Sequence, residues 1–480
     1  MKSIIVSKIF LLYQWIVQHY RESYTHNLVK KFQASLGRLF MGSGFVKSLI
    51  KDDQEDLRES WSHGHLLRPL TSLFKLGPLI RSSKILELLT STRGLGLLWA
   101  GHILSYGVLP TSLSMVISIG LTGLLLCRLA FHPVAWPSRG VTISSILIMA
   151  SLVVGAIFNP LNYDTLSIMI IYGTTILLTI TFIMTIEDKK IFYLSLYGLG
   201  VTVLLYSLYG VYQKIVGVPV DPAWLDEDAT RVVRIYSVFG NPNVFGEFLV
   251  LTLPLMFAGF NVSKKWTSKI FFLGVFFLGC LNIMLSFSRG SMICFAGGMF
   301  LLIVIRDRRY MPLFIVGLLL SPILLPESIW ARILTLFQGG DSSSDYRTSI
   351  YLASADMLRD HFFVGVGLGN FKEIYKAYAY SASKTFHAHN TYLMLWLELG
   401  LFGLVSWLGF VFVWIKQMFT MKGKSPYSYY VVAAFAGIAG CAVQALSEHI
   451  FHNYDILFYF FLVIAIGYLG MKLHKEYDYE

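Results

Sequence analysis

Two histidines set two residues apart, His387 and His389, stand where a polar stretch gives way to the apolar run Tyr392-Leu393-Met394-Leu395-Trp396-Leu397. Imidazole exchanges protons near neutral pH, and the first turn of a helix offers unpaired backbone N–H groups to an anion. The pattern therefore suits chemistry at a membrane surface in which a proton moves and negative charge is held. Arginines supply further anion-binding groups: Arg231 and Arg234 before the apolar run at 243–261, Arg289 in the short Phe287-Ser288-Arg289-Gly290 break, and Arg347 in the long polar stretch. A guanidinium keeps its charge and meets phosphate oxygens as a planar, bidentate donor. Together the set fits a lipid-linked diphosphate, although any one arginine reads equally well as an interfacial anchor.

The elements that must position these groups are apolar. Of 480 residues, 55% are hydrophobic and 14% charged, and the mean hydropathy is +0.62. Such a chain is one polytopic bundle rather than several water-soluble domains. From residue 96 onward, runs near the ~20 residues that cross a bilayer recur, at 96–110, 111–127, 141–158, 164–186, 191–213, 243–261, 268–286, 291–305, 311–326, 390–415, 426–446 and 454–471. The expected fold is an all-α integral membrane protein, a polytopic bundle of about 12 transmembrane helices with a large extracytoplasmic loop before the tenth. Pro110 alone separates the first two runs, which read also as one broken or re-entrant pair.

Charge gives the orientation. The net charge of +11 comes from short basic clusters between apolar runs, which argues for topology and against a nucleic-acid partner. With a cytoplasmic N-terminus, the inner connections hold Arg128 and Arg139, Lys189 and Lys190, Lys264, Lys265 and Lys269, Arg306, Arg308 and Arg309, Lys416, Lys422 and Lys424, and Lys472 and Lys475. The short outer turns near 110, at 159–163 and at 447–453 have no Lys or Arg. Both termini are then cytoplasmic, and the longer outer loops at 214–242 and 327–389 carry the arginines and histidines. Residues 1–95 differ, with 14 Lys/Arg against 7 Asp/Glu and no run long enough to span. They read as a basic, amphipathic cytoplasmic extension without a cleavable signal, lying on the anionic leaflet ahead of a membrane domain at 96–480. Cys127, Cys280, Cys294 and Cys441 form no C-x-x-C pair and read as packing residues.

Local patterns refine the site. Asn241-Pro242-Asn243 reads as a helix start with proline at the first position and an asparagine cap. A helical pattern begins near Asp345, with Ser344 or Asp345 as cap and Ile350, Ala353, Met357 and Leu358 on one apolar face. Glu398 lies roughly 12 Å along a helix axis from Asn390, too far for direct contact with a reacting centre, and reads as a buried structural partner. Tyr375, Tyr378 and Tyr380 suit packing at an interface, with sugar stacking the alternative.

The motifs are similar to those of the bacterial O-antigen ligase and polymerase family. They are Arg234 followed by Phe239-Gly240-Asn241-Pro242-Asn243; Ser288-Arg289-Gly290; Arg347 followed by Gly365-Val366-Gly367-Leu368-Gly369-Asn370-Phe371; and His387-Ala388-His389-Asn390-Thr391-Tyr392-Leu393 with Glu398-Leu399-Gly400-Leu401-Phe402-Gly403. The resemblance covers about residues 200–415 at motif level. It implies an inverting glycosyltransferase of the bacterial plasma membrane, acting outside the cell, that needs no metal or other cofactor. Its donor is an undecaprenyl diphosphate-linked glycan and its acceptor a hydroxyl of a glycan or lipid, in cell-surface polysaccharide biosynthesis. Carried over by residue, His389 is the candidate base with His387 as alternate, since a helix N-terminus disfavours imidazolium and favours a neutral His389. Arg234, Arg289 and Arg347 clamp the diphosphate, and Asn241 and Asn243 aim the helix start at the same anion. A polysaccharide or lipid-linked oligosaccharide transporter or flippase is the main alternative, against which stand the gathering of charge at one face and the lack of an internal repeat. A zinc site from His387, His389, His449 and His452 with Glu448 or Asp455 is a further rival, without the helical spacing of known zinc motifs.

Overall fold

The computed structural model describes residues 82–128, 139–158, 162–217, 234–324, 342–380, 385–421 and 423–479, with a few isolated positions outside these ranges. Arg231, most of the basic extension and part of each long outer loop lie outside the described residues. The regular elements described are all helical: α1 (Lys84–Thr90), α2 (Thr92–Ser105), α3 (Thr111–Arg128), α4 (Arg139–Ile157), α5 (Tyr163–Thr185), α6 (Lys189–Val216), α7 (Pro242–Val262), α8 (Trp266–Leu285), α9 (Arg289–Ile305), α10 (Met311–Leu324), α11 (Ser342–Asp360), α12 (Phe371–Tyr375), α13 (Thr391–Thr420), α14 (Pro426–Gln444) and α15 (Tyr454–Tyr479), with two short 3-10 turns.

Among the described residues, nine helices are long and apolar enough to cross a membrane: α3 to α8 and α13 to α15. They coincide with nine of the twelve apolar runs. The other three runs form shorter helices: α2 has 14 residues, α9 has 17 and the described part of α10 has 14. At ~1.5 Å per residue these are shorter than the ~30 Å hydrocarbon layer, so the expectation of about twelve spans becomes nine plus three shorter apolar helices. The break between α2 and α3 falls at 106–110, as Pro110 suggested.

Packing divides the bundle into a core and a periphery. The apolar window of α15 is 94% buried and that of α7 83%, against 33% for α8, so α7 and α15 are central helices and α8 faces outward. Helix α7 packs against α14, α8 and α9, α14 also packs on α15 and α9, and α4 pairs with α13. Small residues bring backbones close: Gly437 lies against the carbonyl of Leu251 and Gly298 against that of Ala436, a means of association where lipid removes most of the hydrophobic drive between helices.

Hydrogen bonds tie helix ends into two groups. At one end Arg128 bonds the carbonyl of Thr90, Thr92 bonds Asp188, Lys472 bonds the carbonyl of Ile183, Arg306 bonds the carbonyl of Ser425 and His474 bonds the Ser425 hydroxyl. At the other end Asn162 and Thr165 by the start of α5 bond Asn370 and the Leu368 carbonyl, the stretch before α7 bonds the turn between α8 and α9, and the start of α13 bonds the connection between α14 and α15. The long polar segment before α13 packs there. Its helix α11 starts at Ser342, slightly before the expected cap, and buries Ile350, Ala353, Met357 and Leu358 in a second core with Met394 and Leu397 of α13.

The glycine-rich stretch after α11 docks into a break in α13. Gly400 has φ 69° within an otherwise helical run, and Gly365 has φ 75°. A side chain at Gly365 would strike the carbonyl of Leu397, and one at Gly400 the carbonyl of Phe363. Both positions therefore need glycine for conformation as well as space. Across this junction Val366 N–H donates to Leu397, Leu401 N–H donates to Phe363, and the buried carboxyl of Glu398 accepts from Gly369 N–H at 2.9 Å. Glu398 is thus a structural partner, and the glycine motif holds the polar segment on the helix that follows the histidines.

Candidate active site

The histidine segment is irregular and bent up to the helix start. Asn390 caps α13, its side chain accepting from Leu393 N–H, so both His387 and His389 precede the helix and share one side, with ring centroids 4.2 Å apart. The segment is fastened to the connection between α14 and α15. Thr391 N–H donates to the Ala445 carbonyl, Asn390 donates to Leu446 at 3.0 Å, and the Thr391 hydroxyl donates to the Glu448 carbonyl at 2.9 Å. From α11, the Tyr351 hydroxyl donates to the His389 carbonyl at 3.0 Å. His389 has φ 47°, a left-handed conformation that costs free energy in a non-glycine residue and persists where neighbouring bonds over-determine it.

Glu448 is the centre of the cluster. Its Oε1 accepts from Arg347 at 2.6 Å and from the Asn243 amide at 3.1 Å, while Oε2 lies 3.3 Å from His389 Nδ1. Burial alone would raise this carboxyl, but the hydrogen bond with His389, the Arg347 charge and the Asn243 bond outweigh it and hold Glu448 below its ordinary value. A carboxylate can only accept. His389 therefore carries its proton on Nδ1, and Nε2 is left as the basic nitrogen.

His387 has the opposite polarity. Its Nδ1 accepts from the backbone N–H of His389 at 3.2 Å, so a neutral ring has its proton on Nε2 and presents a donor. Burial and the neighbouring His389, His452, His449 and Arg347 push its proton affinity far below the ordinary imidazole value. His449 is buried and is likewise lowered, by burial and then by His452 and His389. His387 lies 4.4 Å from His452 and 5.8 Å from His449, centroid to centroid. Among the described residues, no group of three or more His, Cys, Asp or Glu is arranged to hold a metal ion.

Arg234 and Arg347 reach the cluster from separate elements. Arg234 donates through Nε to the Ser286 carbonyl at 3.0 Å and through Nη2 to Asn243 Oδ1 at 3.0 Å. It thereby ties the stretch before α7 to the α8–α9 turn. Arg289 is the first residue of α9, three positions after that carbonyl. Asn241 caps α7 by accepting from Asn243 N–H, with Pro242 at the first helical turn. Asn243 bridges Arg234 to Glu448, so five of the seven candidate site residues, Arg234, Asn243, Arg347, His387 and His389, join one network around Glu448, which the sequence offers only as part of the rival zinc site. The signal for Glu448 in the sequence is a carboxylate beside His449 in a short turn devoid of Lys and Arg.

The approach to Asn241 is held as firmly as that to His389. Ser237 has φ 52° and Phe287 φ 53°, so the stretch before α7 and the α8–α9 turn, like the histidine segment, each hold one left-handed non-glycine residue. Gln213 of α6 clamps Ser237, accepting from its N–H at 2.7 Å and donating to its carbonyl at 3.0 Å. Tyr346 of α11 stands edge-on to His389 at 5.9 Å. Tyr378 and Tyr380 bond Asp360 and Asp356 of the same helix, and Tyr375 is buried.

Comparison with protein families matches residues 274–408 to the O-antigen ligase family model. The match contains Arg289, Arg347, His387 and His389, whereas Arg234, Asn241, Asn243 and Glu448 lie outside it. No curated protein matches the chain.

Proposed function

Because this multi-pass membrane protein carries an O-antigen ligase family domain, we propose that it transfers a glycan from an undecaprenyl diphosphate-linked donor to an acceptor hydroxyl, with inversion at the anomeric carbon. The observation that carries this reading is the contact of His389 with ionised Glu448 inside the network that also holds Arg347 and Arg234. Attack of the acceptor oxygen forms the new bond to the anomeric carbon. Its proton passes to His389 Nε2, and the bond from the anomeric carbon to the diphosphate oxygen breaks with its electron pair going to the diphosphate. Arg234, Arg289 and Arg347 balance that charge as it grows, the kind of stabilisation that acts most strongly in a partly desolvated site. His387, as a donor, orients an oxygen of the substrate rather than accepting the proton. No metal is needed for these steps, and ligase and polymerase differ only in which molecule brings the hydroxyl.

The site end of the bundle then faces outside the cell, with both termini and the basic extension at the cytoplasmic face, a placement that the distribution of Lys and Arg supports. The test is His389→Ala in purified protein reconstituted in lipid. Loss of the base should lower transfer by ~10²–10⁴-fold, with binding of undecaprenyl diphosphate retained. Full transfer by the variant overturns the assignment, and joint loss of transfer and binding makes His389 a diphosphate ligand instead.

A further inference from the structure

Glu448 has one more contact than a group that only orients His389 requires. The carboxylate is shared between the base on Oε2 and Arg347 on Oε1, at 3.3 and 2.6 Å. Its side chain is 14% exposed and that of Arg347 27%, so the pair is partly desolvated but open to an incoming ion. Arg347 comes from α11, on the polar segment, whereas Glu448 comes from the connection after α14. No helix is shared, and the arginine can turn to another anion without moving the carboxylate. Glu448 is meanwhile anchored by its own backbone, its carbonyl accepting from Thr391 and its N–H donating to Gln444. Asn243 donates to the same Oε1 at 3.1 Å.

We propose that Glu448 is a positioning residue that stands in for the donor diphosphate on Arg347 and hands the arginine over when the donor arrives, so that donor binding turns the carboxylate fully onto His389. This rests on the reading of Arg347 as a diphosphate ligand and His389 as the base. Before the donor binds, the guanidinium neutralises the charge that makes His389 a better proton acceptor. When a phosphate oxygen takes Arg347, Glu448 keeps only Asn243 and His389 as partners, and its negative charge acts on the imidazole. The carboxylate is thus shared in the empty site and given to the base in the complex that has something to react. The free enzyme meets a competing cost, because the diphosphate must displace a carboxylate already bound to its ligand.

That cost gives an outcome that a merely structural residue would not produce. Glu448→Gln removes the competing charge while keeping the size of the side chain, so undecaprenyl diphosphate should bind the reconstituted protein about tenfold more tightly, while transfer with the native lipid-linked glycan falls about 10²-fold or more. The gain must require Arg347: in the Arg347→Ala background the same substitution should leave affinity unchanged. Inorganic diphosphate should show the same gain in weaker form, which distinguishes recognition of the diphosphate from recognition of the lipid, and nanodiscs of zwitterionic lipid exclude competition from anionic headgroups. If Glu448→Gln fails to fold, Glu448→Asp retracts the carboxylate and should give the same sign in smaller measure. Weaker or unchanged binding in the glutamine variant, or an equal gain without Arg347, overturns the handover. A tighter-binding Glu448→Gln alongside a fully active His389→Ala leaves the competition for Arg347 standing and removes the base, so the two readings fail separately.

Discussion

The two ends of the bundle both gather positive charge, but they dispose of it differently. At the end opposite the histidines, Arg128, Arg306 and Lys472 point their charges at carbonyls of Thr90, Ser425 and Ile183, close to helix termini. These bonds satisfy backbone acceptors and need only a cation with reach. At the site end, Arg234 and Arg347 meet Asn243 and Glu448, side chains that themselves contact further functional groups. There a cation must present a particular geometry to more than one partner. The comparison teaches that sidedness of charge and chemistry of charge are separate properties, one read by the membrane and the other by a substrate.

The strongest expected effect is positional, since it is close to all-or-none. If the two ends face opposite sides of the membrane, Ala377→Cys on the exposed polar segment should react with an impermeant thiol reagent added outside cells, and Lys424→Cys should not, in a background lacking the four native cysteines. Both positions are exposed in the structure. Labelling of the second and protection of the first would reverse the orientation and put the site in the cytoplasm.

A smaller effect separates charge from geometry. Arg289→Lys and Arg234→Lys retain a positive charge but lose the planar fork, and transfer should fall by roughly 10²-fold with the protein still inserted. Arg306→Lys, at the other end, should transfer nearly as well as the parent. Equal tolerance at both ends, measured as initial rates in reconstituted protein, would reduce the site arginines to anchors.

The smallest effect is on stability with pH. His387 and His449 have folded values below the ordinary imidazole value, so below about pH 6.5 the unfolded chain takes up protons that the folded site refuses. Stability is full above that pH and falls as the solution is acidified. Glu448, also depressed, loses its contribution in a lower window, beginning near the ordinary carboxylate value of about 4.3. The thermal midpoint should therefore drop between pH 7.5 and 5. His387→Asn, whose amide oxygen can still accept from His389 N–H, should make that drop shallower and reduce transfer only a few-fold, about the worth of one hydrogen bond. An unchanged slope would mean that His387 takes up protons alike in the folded and unfolded protein.

Much of the helical frame was open to a reading of periodicity and punctuation. Asn241 and Asn390 are caps, Pro242 starts α7, and the apolar face of α11 is the one that Ile350, Ala353, Met357 and Leu358 marked out. The count of spans was less legible, because α2, α9 and the described part of α10 are largely apolar yet shorter than a bilayer. Hydropathy measures what a segment tolerates, while the helix length is decided by where breaks and neighbours end it. Likewise the glycines from 365 to 369 stood out as a motif, but their docking against Gly400 depends on a kink whose φ no composition reveals.

By itself the sequence determined an all-helical membrane protein, a polar segment ending in His389 at a helix start, and arginines suited to an anion, because each of these follows from residues adjacent along the chain. Only the tertiary structure decided which nitrogen of His389 is basic and what Arg347 touches, since both depend on Glu448, 59 residues from the histidine and 101 from the arginine. The same carboxylate would have been an ordinary polar residue in a short outer turn had α14 and α15 not brought it beneath the histidine segment. Helix propensity, caps and hydropathy act over a few residues, whereas an ion pair or a tautomer is set by whichever groups the packing of distant helices leaves within about 3 Å.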